Sequence, residues 1–393
     1  MRRDPRSVFP NFVLILAAVG LCVAMAAAGP RSNAKPAEAG LPTFVLQPAP
    51  FVQMPGVKEY HFLHAIDSNS PLHWDGDTLY MFNSFLHPFR TSGPDLLHQG
   101  NQVRVHLGNI DDLLDMWIEA TYKNDDGTLY GAFHHEPDGV CFSDNHLPTA
   151  PKIGWLKSAD NGKTWKDMGF IIMANPSAIN CQTESPWDAG GTGDFVFLPD
   201  RQKQYFCFYG TSYDPRFEEQ GVWAARMAYA DRHNPVGKVM KWYKGAWSEP
   251  ALWGRVSPVF PASRDYHKKE GSMFWGPSIH WNTYLKMYVM VLNHAINTHL
   301  DADGIYISFN PDIGDPTGWS KPVMLMDLVT IHKATVGGEA GLSDVLDNGW
   351  YPQVIGTAKG ETDKLAGRRA RLFLGGLSNF EIVFLQPGEK PEQ

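Results

Sequence analysis

A hairpin that recurs five times constrains this chain more than any other feature. An apolar strand, a short polar turn and a second aromatic-rich strand appear over residues 67–85, 118–133, 194–209, 276–292 and 351–374. The first four turns are Asp75-Gly76-Asp77, Asp125-Asp126-Gly127, Pro199-Asp200-Arg201 and Trp281-Asn282-Thr283; the fifth copy carries an insertion over 360–368. Such residues supply the positive φ and the side-chain caps that tight hairpins need. Further strand-like sequence follows the later hairpins at 152–158, 222–230, 304–309 and 380–385. Four short strands per unit, repeating about every 70 to 80 residues, predict an all-β fold, a five-bladed β-propeller over 46–393. Residues 43–62 are expected to supply the strand that closes the last blade. Two packed sandwiches are the competing architecture. Composition agrees: 37 Gly and 29 Pro interrupt helices too often for a bundle, and 12% aromatic residues exclude a disordered chain.

The amino terminus reads as an address. Arg2, Arg3 and Arg6 precede an apolar run over 12–28 that ends in small residues. This is the pattern of a signal peptide, cleaved after residue 28 and followed by an Ala/Pro/Ser-rich linker over 29–45. An uncleaved anchor is the alternative, because the run is near the lower limit for spanning a bilayer. The mature protein is then secreted or periplasmic, with no membrane partner after cleavage. A net charge of −8 argues against general nucleic-acid binding. An oxidising compartment permits a disulfide. Cys141 and Cys181 lie in loop-like sequence and are expected to pair, whereas Cys207, inside Tyr205-Phe206-Cys207-Phe208-Tyr209, is expected to be an inert core thiol.

In a propeller, the first residues of the innermost strands converge on one mouth of the central channel. Here they are Asp67, Glu119, Asp194, Trp275 with Gly276, and Trp350 with Tyr351. Three carboxylates thus reach one funnel from three blades. Cleavage of a glycosidic bond needs two carboxyl groups of different pKa, one to activate water or attack and one to protonate the leaving oxygen. Asp67 is the candidate base. Asp194, after Gly190-Gly191-Thr192-Gly193, is a candidate acid or pKa modulator. Glu119, flanked by apolar residues, would need a partner if buried. In Phe133-His134-His135-Glu136-Pro137, strand alternation puts His134 and Glu136 on one face and His135 on the other. Glu136 as acid, His134 as proton donor and a site role for His135 all follow as candidates.

The same run is the best metal candidate, and an acidic channel can hold a divalent cation such as Ca²⁺. Trp74, Trp187, Trp275 and Trp350 offer rings on which the C–H faces of a sugar stack. His134 and His280 complete the expected substrate contacts. Each feature also has a plain structural reading: the Trp residues as inter-blade core, His280 as a satisfied core histidine, Asp67 as a turn cap.

Ser158-Ala159-Asp160-Asn161-Gly162-Lys163-Thr164-Trp165 matches the Asp-box pattern S-x-D-x-G-x-T-W, common in sialidases and other propeller glycosidases. That motif is a hairpin turn on the outer side of blades. The mature chain as a whole resembles the five-bladed propeller glycosidases of families 43 and 117. Asp67-Ser68-Asn69-Ser70-Pro71, followed by Asp75-Gly76 and Leu79-Tyr80, resembles their first blade, whose first Asp is the catalytic base. Gly276-Pro277-Ser278, followed by Tyr288, resembles the blade that in family 43 follows the acid Glu. The chain departs from the pattern there: Trp275 precedes Gly276, and the nearest Glu is Glu270. The family 117 enzymes use a His acid, which bears on the His134-His135-Glu136 run. No arginine triad of the sialidase kind is evident. The resemblance implies a glycoside hydrolase, inverting if it follows family 43, with an oligo- or polysaccharide substrate. A non-catalytic carbohydrate-binding propeller is the alternative, and the missing Glu before Gly276 is what it would predict.

Overall fold

The computed structural model describes residues 40–55, 66–111, 113, 115–137, 140–141, 148–335 and 344–391. The segment read as a signal peptide, and the first part of the segment read as a linker, through residue 39, lie outside the described residues. The chain opens on β1 (Thr43–Gln53), which begins inside the segment read as linker. Blade I contains β2 (Leu72–Asp75), β3 (Thr78–Ser84), β4 (Pro88–Gly93) and β5 (Val103–Arg104). Blade II contains β6 (Met116–Lys123), β7 (Leu129–His135), β8 (Lys152–Ser158) and β9 (Lys166–Ile172). Blade III contains β10 (Thr192–Pro199), β11 (Tyr205–Ser212), β12 (Gly221–Ala228), β13 (Val239–Tyr243) and β14 (Ala246–Pro250), with β15 (Phe260–Pro261) paired to β12. Blade IV contains β16 (Met273–Asn282), β17 (Met287–Ala295), β18 (Ala302–Asn310) and β19 (Val323–Asp327). Blade V starts with β20 (Gln353–Gly356); β21 (Leu365–Ala366) crosses to pair with β16, and β22 (Arg369–Leu374) and β23 (Leu377–Leu385) continue the blade. All five predicted hairpins are present, and β4, which the sequence reading did not pick out, completes the first blade.

Five apolar clusters lie at the five blade interfaces, and this separates a closed ring from two sandwiches. Phe82, Ile118 and Trp165 pack between blades I and II, and Trp155, Phe197 and Trp223 between II and III. Val196, Ile279 and Met290 fill III–IV, Val289, Ile307 and Leu372 fill IV–V, and Met81, Ile355 and Phe373 fill V–I. Each such apolar side chain stabilises the ring by about 1.5–3 kcal/mol when fully buried. Central strands are covered on both faces and read as near-continuous apolar runs; β10 is buried from Thr192 to Leu198. The peripheral β14 alternates between exposed and half-buried residues.

The ring closes through its first strand. β1 pairs antiparallel with β23, from Thr43 opposite Leu385 to Gln53 opposite Leu377. The ladder is irregular between Pro48 and Val52. Proline cannot donate to a ladder, so it is tolerated on this outermost strand.

The 158–165 turn lies where β8 ends, on the face of the ring opposite the starts of the inner strands. There the Asp160 carboxylate accepts the Thr164 N–H (2.9 Å) and the Thr164 hydroxyl (2.7 Å). Gly162 has φ +78°, and a Cβ there would collide with the rings of Phe82 and Trp165.

Cys141 and Cys181 form a disulfide across a sequence separation of 40, and Cys207 is a free, buried thiol. Burial pushes the Cys207 thiol above its ordinary pKa. The crosslink ties the chain just after Glu136 to the loop that carries Trp187 and Asp188. Its removal by Cys141→Ser with Cys181→Ser is expected to lower unfolding stability by about 2–4 kcal/mol. Urea denaturation of the oxidised and variant proteins checks this; equal midpoints would show that the crosslink contributes nothing to stability.

Candidate active site

The inner strands all begin on one face, here the upper face, and irregularities in their first turns aim side chains inward. The β6–β7 ladder slips between Ile118 and Ala120, leaving Glu119 unpaired. The β10–β11 ladder slips between Gly193 and Val196, around Asp194. The β16–β17 ladder slips between Trp275 and Ser278, around Gly276. Bulges of this kind re-aim single side chains, and they are common beside active sites. Asp194 has φ +42° and Tyr351 φ +54°, left-handed conformations that a bulky residue adopts only when its surroundings hold it there. Asn69 anchors the assembly: its Nδ2 donates to the Pro277 carbonyl (3.1 Å) and the Phe195 carbonyl (3.4 Å), joining blades I, III and IV.

At this mouth the imidazole of His134 is the hub. Nδ1 lies 2.7 Å from Glu119 Oε1 and 4.0 Å from Asp194 Oδ1, and Nε2 lies 3.0 Å from Glu136 Oε1. Gly193 makes room for the ring, since a Cβ there would stand 3.1 Å from it. The other Glu119 oxygen accepts the Phe195 N–H at 2.7 Å. Asp194 accepts hydrogen bonds from the Tyr213 hydroxyl and, at 3.4 Å, from the Tyr351 hydroxyl. The Tyr351 hydroxyl also faces Asp67 and favours its charged form, so blades I and III share one phenol. Behind them Tyr266 donates to Asp188 at 3.0 Å and accepts from the Ser185 hydroxyl at 2.8 Å.

Five carboxyl groups therefore surround one imidazole in a mostly dry site, and they cannot all ionise. Burial, reinforced by the charges of Glu136 and Asp194, raises the pKa of Asp67 to about 7. Burial raises Glu119 to about 7 as well, against the pull of His134. Asp194 is raised and Asp188 lies well above its ordinary value, burial being the largest cause for both. Burial alone would depress His134, but its hydrogen bonds to Glu119 and Glu136 and their charges hold it well above 6.5. At neutral pH the site thus holds an imidazolium together with both protonated and ionised carboxyls. That mixture is what acid–base catalysis needs, and its titration belongs to the cluster as a whole.

Of the predicted residues, the structure brings together Asp67, Glu119, His134, Glu136 and Asp194. His135 lies on the opposite face of β7, its ring 6.1 Å from that of Phe170 and its Nδ1 3.3 Å from the Asp115 carbonyl. His280 is buried against Phe384, and burial depresses it to about 3, with no carboxylate near enough to offset that. The four tryptophans divide. Trp187 is 40% exposed and stands edge-on to Trp350 at 6.0 Å, so it presents a free face. Trp275 is fully buried and Trp350 nearly so; they pack on each other and on Tyr351 as core. Trp74 lies elsewhere: it is next to the last residue of β2, beside the lower-face turn.

Sequence reasoning missed Asp188 and the hydroxyls of Tyr213 and Tyr266, and it placed Tyr351 at the channel mouth without giving its hydroxyl a role. The signal for Asp188 was its place between Trp187 and the Gly190-Gly191 pair that precedes Asp194. Tyr213 and Tyr266 gave none, because both lie outside the strands, one just past the end of β11 and the other in a turn.

Glu119, His134 and Asp194 each offer one ligand atom, all within 4.8 Å of one another. A calcium ion asks for six to eight oxygen ligands. This trio supplies two carboxylates and an imidazole whose nitrogens already face carboxylates. The donor set fits proton sharing rather than calcium, and no chemical step below uses a metal.

No protein-family model matches the chain, and no curated protein matches its sequence. Solved structures do match. A glycoside hydrolase aligns at 12% identity and TM-score 0.49 over 88% of this chain and 94% of its own. A thermostable family-43 glycoside hydrolase aligns at 13% identity and TM-score 0.44 over 87% and 98%. The exo-β-1,3-galactanase of Clostridium thermocellum aligns at 9% identity and TM-score 0.44 over 87% of this chain and 62% of that enzyme.

Proposed function

We propose that this chain is an exported glycoside hydrolase that cleaves an oligo- or polysaccharide at the upper mouth of the propeller, with inversion. One observation carries the reading: carboxyl groups from three blades meet around His134 in mixed protonation states, beside the open ring of Trp187. Glycosidic cleavage requires this division of labour between carboxyls. In the proposed step the Asp67 carboxylate takes a proton from water, whose oxygen bonds to the anomeric carbon. Glu136, bonded to His134 Nε2 at 3.0 Å, relays a proton from the His134 imidazolium to the departing oxygen as the glycosidic bond breaks. The proton taken up by Asp67 then returns through solvent to His134, which closes the cycle. Glu119 and Glu136 hold His134 charged, and Trp187 supports a sugar ring by stacking.

The test is incubation of the mature protein with aryl glycosides and plant and algal polysaccharides, β-1,3-galactan among them. Release of sugar is expected. Proton NMR of the first product should show the anomer opposite to that of the substrate, whereas release of the same anomer would overturn inversion. No release from any substrate, with calorimetry still detecting glycan binding, would overturn hydrolysis and favour a carbohydrate-binding propeller.

A further inference from the structure

A cavity of about 250 Å³ opens at the seam between the first and last blades and includes Trp74. Strand direction places it on the lower face. β2 and β20 both run from the carboxyl mouth downward, and the cavity is built where they end, from Trp74 and Asp77 on one side and residues 356–361 on the other. It lies across the ring from His134 and shares no residue with that site.

Its chemistry is that of a saccharide site. The Trp74 indole N–H donates to the Glu361 carbonyl at 2.8 Å, which fixes the ring in place. Leu79 and Leu96, both buried, complete an apolar wall. The opposite rim is polar: Lys359 pairs with Asp77 across the seam, with 74% and 89% of their side chains exposed, and Glu361 stands beside them. An aromatic platform faced by hydrogen-bonding donors and acceptors suits a pyranose, which has an apolar C–H face and a polar hydroxyl edge. The volume is below the ~300 Å³ at which drug-sized pockets begin, so it suits one or two sugar units rather than a long chain.

We infer that this cavity is a second carbohydrate-binding site, non-catalytic, which holds a sugar unit of a glycan on the face opposite the carboxyl cluster. The site does not depend on hydrolysis at the other mouth. A ligand there would bridge blades I and V, the pair between which the ring closes, and so would stabilise the closed ring by mass action.

The experiment uses the mature protein carrying Asp67→Asn, so that any hydrolysis cannot consume the probes. Xylotriose, cellotriose and β-1,3-galactotriose are titrated by calorimetry, and Tm is followed in parallel. At least one probe should raise Tm and bind with a component that Trp74→Ala weakens about tenfold and Trp187→Ala leaves unchanged. Because Trp74 is partly core, Lys359→Ala with Asp77→Ala provides a second variant confined to the exposed rim; it should weaken the same component. Binding that survives both variants, or that only Trp187→Ala removes, would overturn the inference. So would the absence of any binding across the three probes. A Trp74-dependent component in a protein that hydrolyses nothing would uphold this inference while the catalytic reading failed.

Discussion

Asp67→Asn is expected to lower kcat/KM by about 10²–10⁴-fold, the range that a positioned base contributes. Asparagine keeps the shape and the hydrogen bond from Tyr351 but cannot take a proton from water. The accompanying stability change identifies the cause. Asp67 has its folded-state pKa raised from 3.8 to about 7. The native state therefore binds more protons than the unfolded state between about pH 4 and pH 7, and stability falls as pH rises through that window. Asn removes that loss. The variant should match the parent near pH 4 and exceed it above about pH 7, in urea titrations at each pH. Inactivation with improved stability at high pH would mark Asp67 as a group held at a cost for function. Activity within tenfold of the parent would exclude it as the base.

The second large effect is expected at His134. His134→Ala removes the cation that faces Glu119 and leaves that buried carboxyl without its 2.7 Å partner. Breaking a buried pair in this way costs about 3–5 kcal/mol. The sign follows from the raised pKa of His134: its contribution is full below about 6.5 and is lost as pH rises through the folded-state value. The deficit of the variant should therefore be greatest in mild acid and shrink toward alkaline pH. Glu119 opposes this in part, since protonation in acid relieves the burial of the carboxyl that the variant leaves without a cation. Urea unfolding across pH 5–9, with His135→Ala as comparison, measures this. His135 lies on the other face of the strand, away from the carboxyl cluster, so its replacement is the packing comparison. Equal pH profiles for the two variants would show that His134 is merely packed.

The alternation of Phe133-His134-His135-Glu136 already assigned the two histidines to opposite faces, because successive side chains of a strand must point apart. The five hairpins were legible for a related reason. Turn chemistry and strand period are local, and they recur at a spacing that only a ring of similar blades explains. The loop-like setting of Cys141 and Cys181 likewise sufficed to pair them. Asp67, Glu119 and Asp194 could be picked out because each lies near the entry to an inner strand, and such positions converge in a propeller.

What the sequence could not determine was which polar and aromatic groups face one another across the channel. Trp74, Trp187, Trp275 and Trp350 look alike in sequence. Only the packed ring distinguishes the open Trp187 from the buried Trp275 and Trp350, and sends Trp74 to the opposite face. Asp188 and the three tyrosines entered the site for the same reason, from a loop and strand ends far apart in the chain. By itself the sequence determined the blades, the closing strand and the residues near the entry to each inner strand, all of which follow from local backbone preference and repetition. Tertiary structure alone determined the protonation of the carboxyls, because a pKa shift is set by burial and by charges brought near through folding.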